Sequence, residues 1–227
     1  MRLRPSREET TAPLLHLETL GLYPQLPSLL LGPLRAALVG ELYGGTLAGE
    51  VQRRSAGEGG WQVHLRLSDI DVARYPLLQA NSPVQVQGRL AGEVTATLDE
   101  SGRPRHGTLA FTVQPARFTK GQRLGVPLPE ELACTTLEGQ LRATAGVLHV
   151  LLLRCEGDDL QLEARGTVRW RHPLAASQLD LRVQVRSQAT FRQHVELLGT
   201  LVRRRPDARG ALSFRLQGTL QRPHLGA

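Results

Sequence analysis

The segment LQLEARGTVRW, residues 160–170, places Leu160, Leu162, Ala164, Gly166, Val168 and Trp170 at its even positions and only polar side chains at the odd positions between them. An unbroken period of two marks a β-strand with one dry and one wet face. Pro173 to Ser177 supply turn residues, after which Leu179, Leu181, Val183 and Val185 alternate with Asp180, Arg182, Gln184 and Arg186. With the arms 137–143 and 147–153 in front of it, the stretch 137–186 reads as consecutive antiparallel strands.

The same period recurs toward the N-terminus. Leu34, Ala36, Leu38, Gly40 and Leu42 share one face, Gly44-Gly45 is the expected turn, and Leu47, Gly49 and Val51 return. Trp61, Val63, Leu65 and Leu67 form a third strand, expected to leave the sheet at 69–76. From Val84 to Asp99 every even position is apolar or glycine, a run that extends roughly 50 Å at about 3.3 Å per residue. Its inward row, Val84, Val86, Leu90, Val94 and Leu98, is the candidate apolar groove. Ser101-Gly102 turns the chain, and Leu109, Phe111 and Val113 face inward before Pro115.

Beyond Ser187 the period changes. Phe191, Val195, Leu198 and Val202 recur at helical spacing, which predicts an α-helix near 191–205 that Pro206 stops. Leu212, Phe214, Leu216, Gly218 and Leu220 then close the chain with another strand. Residues 1–33 are proline-punctuated and read as an irregular segment, with room for a short strand at 14–20, and residues 34–227 read as a single β domain. Recurrent Gly-x-Leu/Val steps, as at Gly88, Gly139 and Gly166, suit a sheet bent on purpose. The expected fold class is all-β: a long, curved, mainly antiparallel sheet, half-barrel or gutter-like, with one helix in the C-terminal half.

The chain of 227 residues carries a net charge of +7, almost all its basic residues being arginine, with Lys120 the single lysine. A nucleic-acid interface wants clustered cations interleaved with aromatic platforms. Here aromatics are 4% and the arginines mostly alternate along strands, so no nucleic-acid partner is expected. The seven histidines form neither HxxxH nor HExxH, and there is no nucleophile elbow, P-loop or dinucleotide fingerprint. No catalytic residue, metal or cofactor is therefore assigned, and the protein is not expected to be an enzyme. Asp69 with Asp71, and the run Glu156 to Asp159, read as solvated strand ends and turns.

The two cysteines flank the hairpin 137–153. If its loop is centred between Thr144 and Ala145, Cys134 and Cys155 fall opposite each other on neighbouring strands and are a candidate disulfide. A loop one residue longer spoils that alignment, and two small buried thiols are the other reading.

Several segments, in order, carry a resemblance: LVGELYGGTLAG at 38–49, the strand and YPLL at 67–78 followed by VQGRLAG to Gly92, Gly125 to Pro129, LEGQL to GDDLQLEARG across 137–166, PLAASQLDL at 173–181, and GALSFRLQGTLQRP at 210–223. In these the chain resembles the type II secretion system protein N family (GspN), itself similar to AsmA- and TamB-like proteins. The resemblance implies an accessory, non-catalytic subunit of the machine that exports folded proteins. Its β domain would lie at the periplasmic face of the inner membrane, with other inner-membrane or periplasmic secretion subunits as partners. The AsmA-like kinship implies another role, a lipid-binding groove. The family's N-terminal membrane helix has no counterpart here, since the apolar run 26–39 is broken by Pro27, Gly32, Pro33 and Arg35, which points to a chain whose native start lies upstream. A filled inner face would favour the scaffold, and an open apolar trough the lipid groove.

Overall fold

The computed structural model describes residues 17–24, 34–54, 59–75, 85–101, 104–119, 131–158, 160–171, 176–187, 196, 199–200, 205–207, 210–220 and 222–226. Thirteen strands join in one antiparallel sheet: β1 (Leu17–Pro24), β2 (Arg35–Leu42), β3 (Gly45–Arg53), β4 (Trp61–Asp71), β5 (Gln85–Leu98), β6 (Pro104–Thr119), β7 (Glu131–Cys134), β8 (Thr136–Thr144), β9 (Val147–Glu156), β10 (Leu160–Arg169), β11 (Gln178–Ser187), β12 (Ala211–Thr219) and β13 (Pro223–Gly226). Each strand lies beside its neighbours in sequence, except that β7 and β8 share one side of β6 at different heights. β1 and β13 are the two edges, so the sheet is open and does not close into a barrel.

Cross-strand partners project to the same face, so the register can be followed from edge to edge. One row runs Leu22, Leu38, Gly49, Leu65, Val94, Leu109, Leu141 and Val150. It continues through Gly166, Leu181 and Leu216 to Leu225. Every member is apolar or glycine. On the opposite face polar pairs predominate: Arg66 pairs with Glu93 at 2.8 Å, and in the next row the Thr95 and Thr108 hydroxyls meet at 2.6 Å.

Register shifts keep the apolar face continuous. In β4 the inward phase passes from Leu67 to Ile70 across a bulge, and both remain level with β5. In β6 it passes from Val113 to Ala116, and in β9 from Val150 to Leu153, again at breaks in pairing. A bulge adds one residue to one strand, so it flips the parity of all that follows.

Burial on this face is uneven. Leu42, Leu47, Ile70, Val113, Leu137, Val185 and Leu212 are buried and lie in the rows nearest one end of the strands. Val63, Leu65, Val94, Ala96, Leu109 and Leu141, nearer the other end, are only half-buried. The apolar contacts form three clusters, around Leu42–Ile70, Val113–Cys155 and Leu160–Leu212; Leu90 joins the first two, and Leu153 and Leu162 join the last two. Among the described residues the first and third clusters share no member. Among the described residues the inner face is therefore packed by its own neighbours side by side, with no second layer as in a sandwich.

The sequence placed several boundaries differently. Residues 17–24, inside the segment read as irregular, are a strand paired along β2. The first hairpin turns at Tyr43-Gly44, not Gly44-Gly45: Leu42 faces Gly45, and the two turn residues take φ 50° and 73°. That is the left-handed pair a two-residue hairpin demands. β4 does not leave the sheet at Asp69, because the bulge carries it on to Asp71 and a short 3-10 turn, Val72–Arg74. The longest strand is β6, with 16 residues against 14 in β5. It passes through Pro115, whose missing N–H is harmless where β6 changes partner from β8 to β7. In the stretch 191–205, Glu196, Gly199 and Thr200 are helical, and the Thr200 hydroxyl donates to the Glu196 carbonyl at 3.1 Å. Apart from Arg205, which is not helical, the remainder of that stretch lies outside the described residues.

The burial gradient makes a direct prediction. Leu212→Ala, at a fully buried site, should cost about 2–5 kcal/mol of stability by urea denaturation, and Leu109→Ala, on the half-buried rows, less than half as much. Equal costs would mean that the inner face is filled throughout.

Candidate functional site

Of the inward row on β5, Val84 lies outside the described residues. Val86 is level with Phe118, Leu90 with Ile70 and Val113, Val94 with Leu65 and Leu109, and Leu98 with Trp61 and Pro104. None of these four β5 residues is buried; all are intermediate, as is every other inward position of that strand. The half-buried apolar surface extends beyond the one strand the sequence singled out, through Leu65 of β4, Leu109 of β6 and Leu141 of β8. Ile70, Ala116 and Phe118 were missed because strict alternation ended those strands early. Apolar residues resuming in the opposite phase were the available signal.

Two glycines show how the trough is shaped. A Cβ on Gly49 would overlap the His64 carbonyl oxygen of the adjoining strand, and one on Gly139 would overlap the ring of Phe111. The chain thus omits a side chain where strands approach closely and where an aromatic ring lies down across its neighbour. The repeated pentapeptide at 47–51 and 90–94 flanks β4 on either side, setting Gly92 level with Leu47 and Gly49 level with Val94. The inner rows consequently offer hydrocarbon, closely packed at these glycines. Their backbone groups are committed to the ladder, so a ligand that requires hydrogen bonds gains nothing there.

The polar features lie elsewhere. Asp71 Oδ1 accepts from the Ala73 amide at 3.1 Å and its other oxygen lies 3.4 Å from Arg74, while Asp69 lies 3.8 Å from Arg89. Both carboxylates are thus taken up at the strand end. Glu156 pairs with Arg154 and Gly157 donates to the Leu160 carbonyl, a turn between β9 and β10, with Asp159 outside the described residues. The hydrogen bond and charge of Arg66 hold the Glu93 carboxyl below the usual carboxylate range. Burial, with Tyr43 beside it, pushes the Tyr75 phenol up. Among the described residues no three His, Cys, Asp or Glu side chains gather as a metal site.

Cys134 and Cys155 are joined as a disulfide with Cα atoms 5.6 Å apart. The route differs from the symmetric hairpin expected. The β8–β9 loop is Ala145-Gly146, with Thr144 facing Val147, and a bulge then sets Cys155 opposite Leu137. Cys134 belongs to β7, which steps away from β8 at Thr135 to pair Ala116 of β6. The step, not the loop centre, brings the sulfurs together. Replacing both cysteines by serine frees a closed loop with sequence separation 21 and should lower the unfolding free energy by about 3 kcal/mol. Urea midpoints for the variant and the oxidised wild type that coincide would contradict this.

No helix among the described residues is long and apolar enough to cross a membrane. No protein-family model matches the chain, and no curated protein or solved structure matches it either.

Proposed function

We propose that this protein is a non-catalytic, lipid-handling accessory subunit. Its open sheet holds acyl chains against the apolar face, and it works at the periplasmic face of the inner membrane beside a type II secretion apparatus. The observation that carries the reading is the incompletely buried inner face, Val86, Leu90, Val94 and Leu98 with their neighbours Leu65, Leu109 and Leu141, which among the described residues has no facing layer. A continuous apolar surface of this extent is a binding surface or a liability. Hydrocarbon suits it best, because it needs no hydrogen bonds and each methylene buried contributes about 0.8 kcal/mol. An extended peptide laid on the same face would bury amides without partners, at about 1–3 kcal/mol each.

The secretory setting rests on the motif order from Leu38 to Pro223, and secretion genes beside this one would test it. The Cys134–Cys155 bond supports an oxidising compartment. A second reading, an interaction subunit for protein partners, is favoured by edge strand β1, where Leu20, Leu22 and Tyr23 are 55%, 61% and 62% exposed. Such an edge accepts a further strand.

Lipid retention separates the two. Mass spectrometry of the purified wild type should find phospholipid, and Val86→Glu with Val94→Glu should remove it while circular dichroism keeps its strand signal. Gln87→Glu with Ala91→Glu, on the opposite face, should retain it. A lipid-free wild type would reject the trough and leave the edge.

A further inference from the structure

We propose that the end of the sheet carrying Trp61 and Trp170 docks on an anionic phospholipid bilayer. This inference rests on the acyl-chain reading of the inner face and names the surface from which the chains would come.

Among the described residues, arginine outnumbers acid at one end of the strands and not at the other. At the end where β3 meets β4 and β10 meets β11, Arg53, Arg105, Arg169, Arg171 and Arg222 are all exposed. The acids described there are Asp99 and Glu100, and Asp99 already accepts from the Ser101 amide and hydroxyl. The opposite end carries Glu18, Glu41, Asp69, Asp71, Glu156 and Asp158 among the exposed Arg74, Arg89, Arg154 and Arg186, with Asp69, Asp71 and Glu156 facing Arg89, Arg74 and Arg154. The chain has two tryptophans, and both lie at the basic end. Trp61 is level with Arg53 on one side and Leu98 on the other, in phase with the apolar face. Trp170 follows β10, is 51% exposed, and donates its backbone N–H to the Gly146 carbonyl at 2.9 Å in the neighbouring hairpin turn. At this end Val63, Ala96 and Leu98 of the apolar face are half-buried, while Ala36 and Leu179 are buried.

Each feature alone has an ordinary explanation. Arginines at strand ends are solvated, and a lone exposed tryptophan is common. Their coincidence at the mouth of an apolar trough is the chemistry of a bilayer interface: indole rings at headgroup depth, guanidinium groups on phosphates, and hydrocarbon continuous with the acyl region. An acidic surface at that end would be repelled by the same lipids, and there the described arginines outnumber the described acids.

The test uses the full chain and sedimentation with vesicles of phosphatidylcholine alone or with phosphatidylglycerol at about three to one. Binding is expected to the anionic vesicles and not to the neutral ones, with a blue shift of tryptophan emission, since both indoles enter the interface. At about fivefold per arginine near an anionic surface, Arg53→Gln with Arg105→Gln and Arg169→Gln should weaken partitioning about a hundredfold. A matched triple, Arg154→Gln with Arg182→Gln and Arg186→Gln, removes the same charge from the polar face away from that end and should stay within a few-fold of wild type. Equal binding to neutral vesicles, equal loss in the two triples, or binding without an emission shift would each overturn the proposal. The emission arm needs no variant, so misfolding of the first triple does not shield it. Lipid content of the same preparations keeps the two readings apart: retained lipid without vesicle binding overturns docking alone, and vesicle binding without retained lipid overturns the acyl-chain reading alone.

Discussion

Side-chain parity across the hydrogen-bonded ladder is the constraint on which the structure depends. The period along a strand is two, so a slip of one residue turns every inward leucine into water. Yet the strands are not perfectly alternating. Leu67 and Ile70, Val113 and Ala116, and Val150 and Leu153 all face inward although each pair changes phase in the sequence, and each pair brackets a register shift. The extra residue is placed where the sequence changes phase, and the apolar face remains unbroken from β1 to β13.

A single layer built this way has a face that it cannot hide by itself. A barrel would enclose it and a sandwich would cover it with a second sheet; here β1 and β13 are separate edges, and among the described residues the terminal apolar clusters share no member. Side-by-side packing fills the rows near one end, aided by Phe111 lying across Gly139. It leaves the rows around Val94 and Leu109 half open. The tryptophans and an excess of described arginine coincide with half-buried apolar rows at that end, and on the proposed reading this is where the fold meets lipid.

Much of this was legible from alternation. The strands around 160–170 and 179–186 needed only the period, because they run without a bulge in their mutual pairing. The parts that were not legible share a physical cause. Strict alternation terminates a strand at its first phase change, so by that rule β4 ends at Asp69 and β6 at Pro115. Turn chemistry misplaced the first hairpin by one residue, since Tyr43 adopts a positive φ that glycine usually supplies. The cysteines meet for a reason no count of residues contains, the sideways step of the chain at Thr135 between β7 and β8. For the site, the sequence pointed to one row on β5. What makes that row a trough is its pairing with Leu65, Leu109 and Leu141, which depends on long-range register.

Site-specific photocrosslinking in cells addresses the central claim most directly, with p-benzoylphenylalanine in place of Leu109 on the inner face and of neighbouring Thr108 on the outer face. The account predicts phospholipid adducts at position 109 and none at 108. Adducts at 109 solely to protein, or to lipid equally from both positions, would contradict an open apolar face that holds acyl chains.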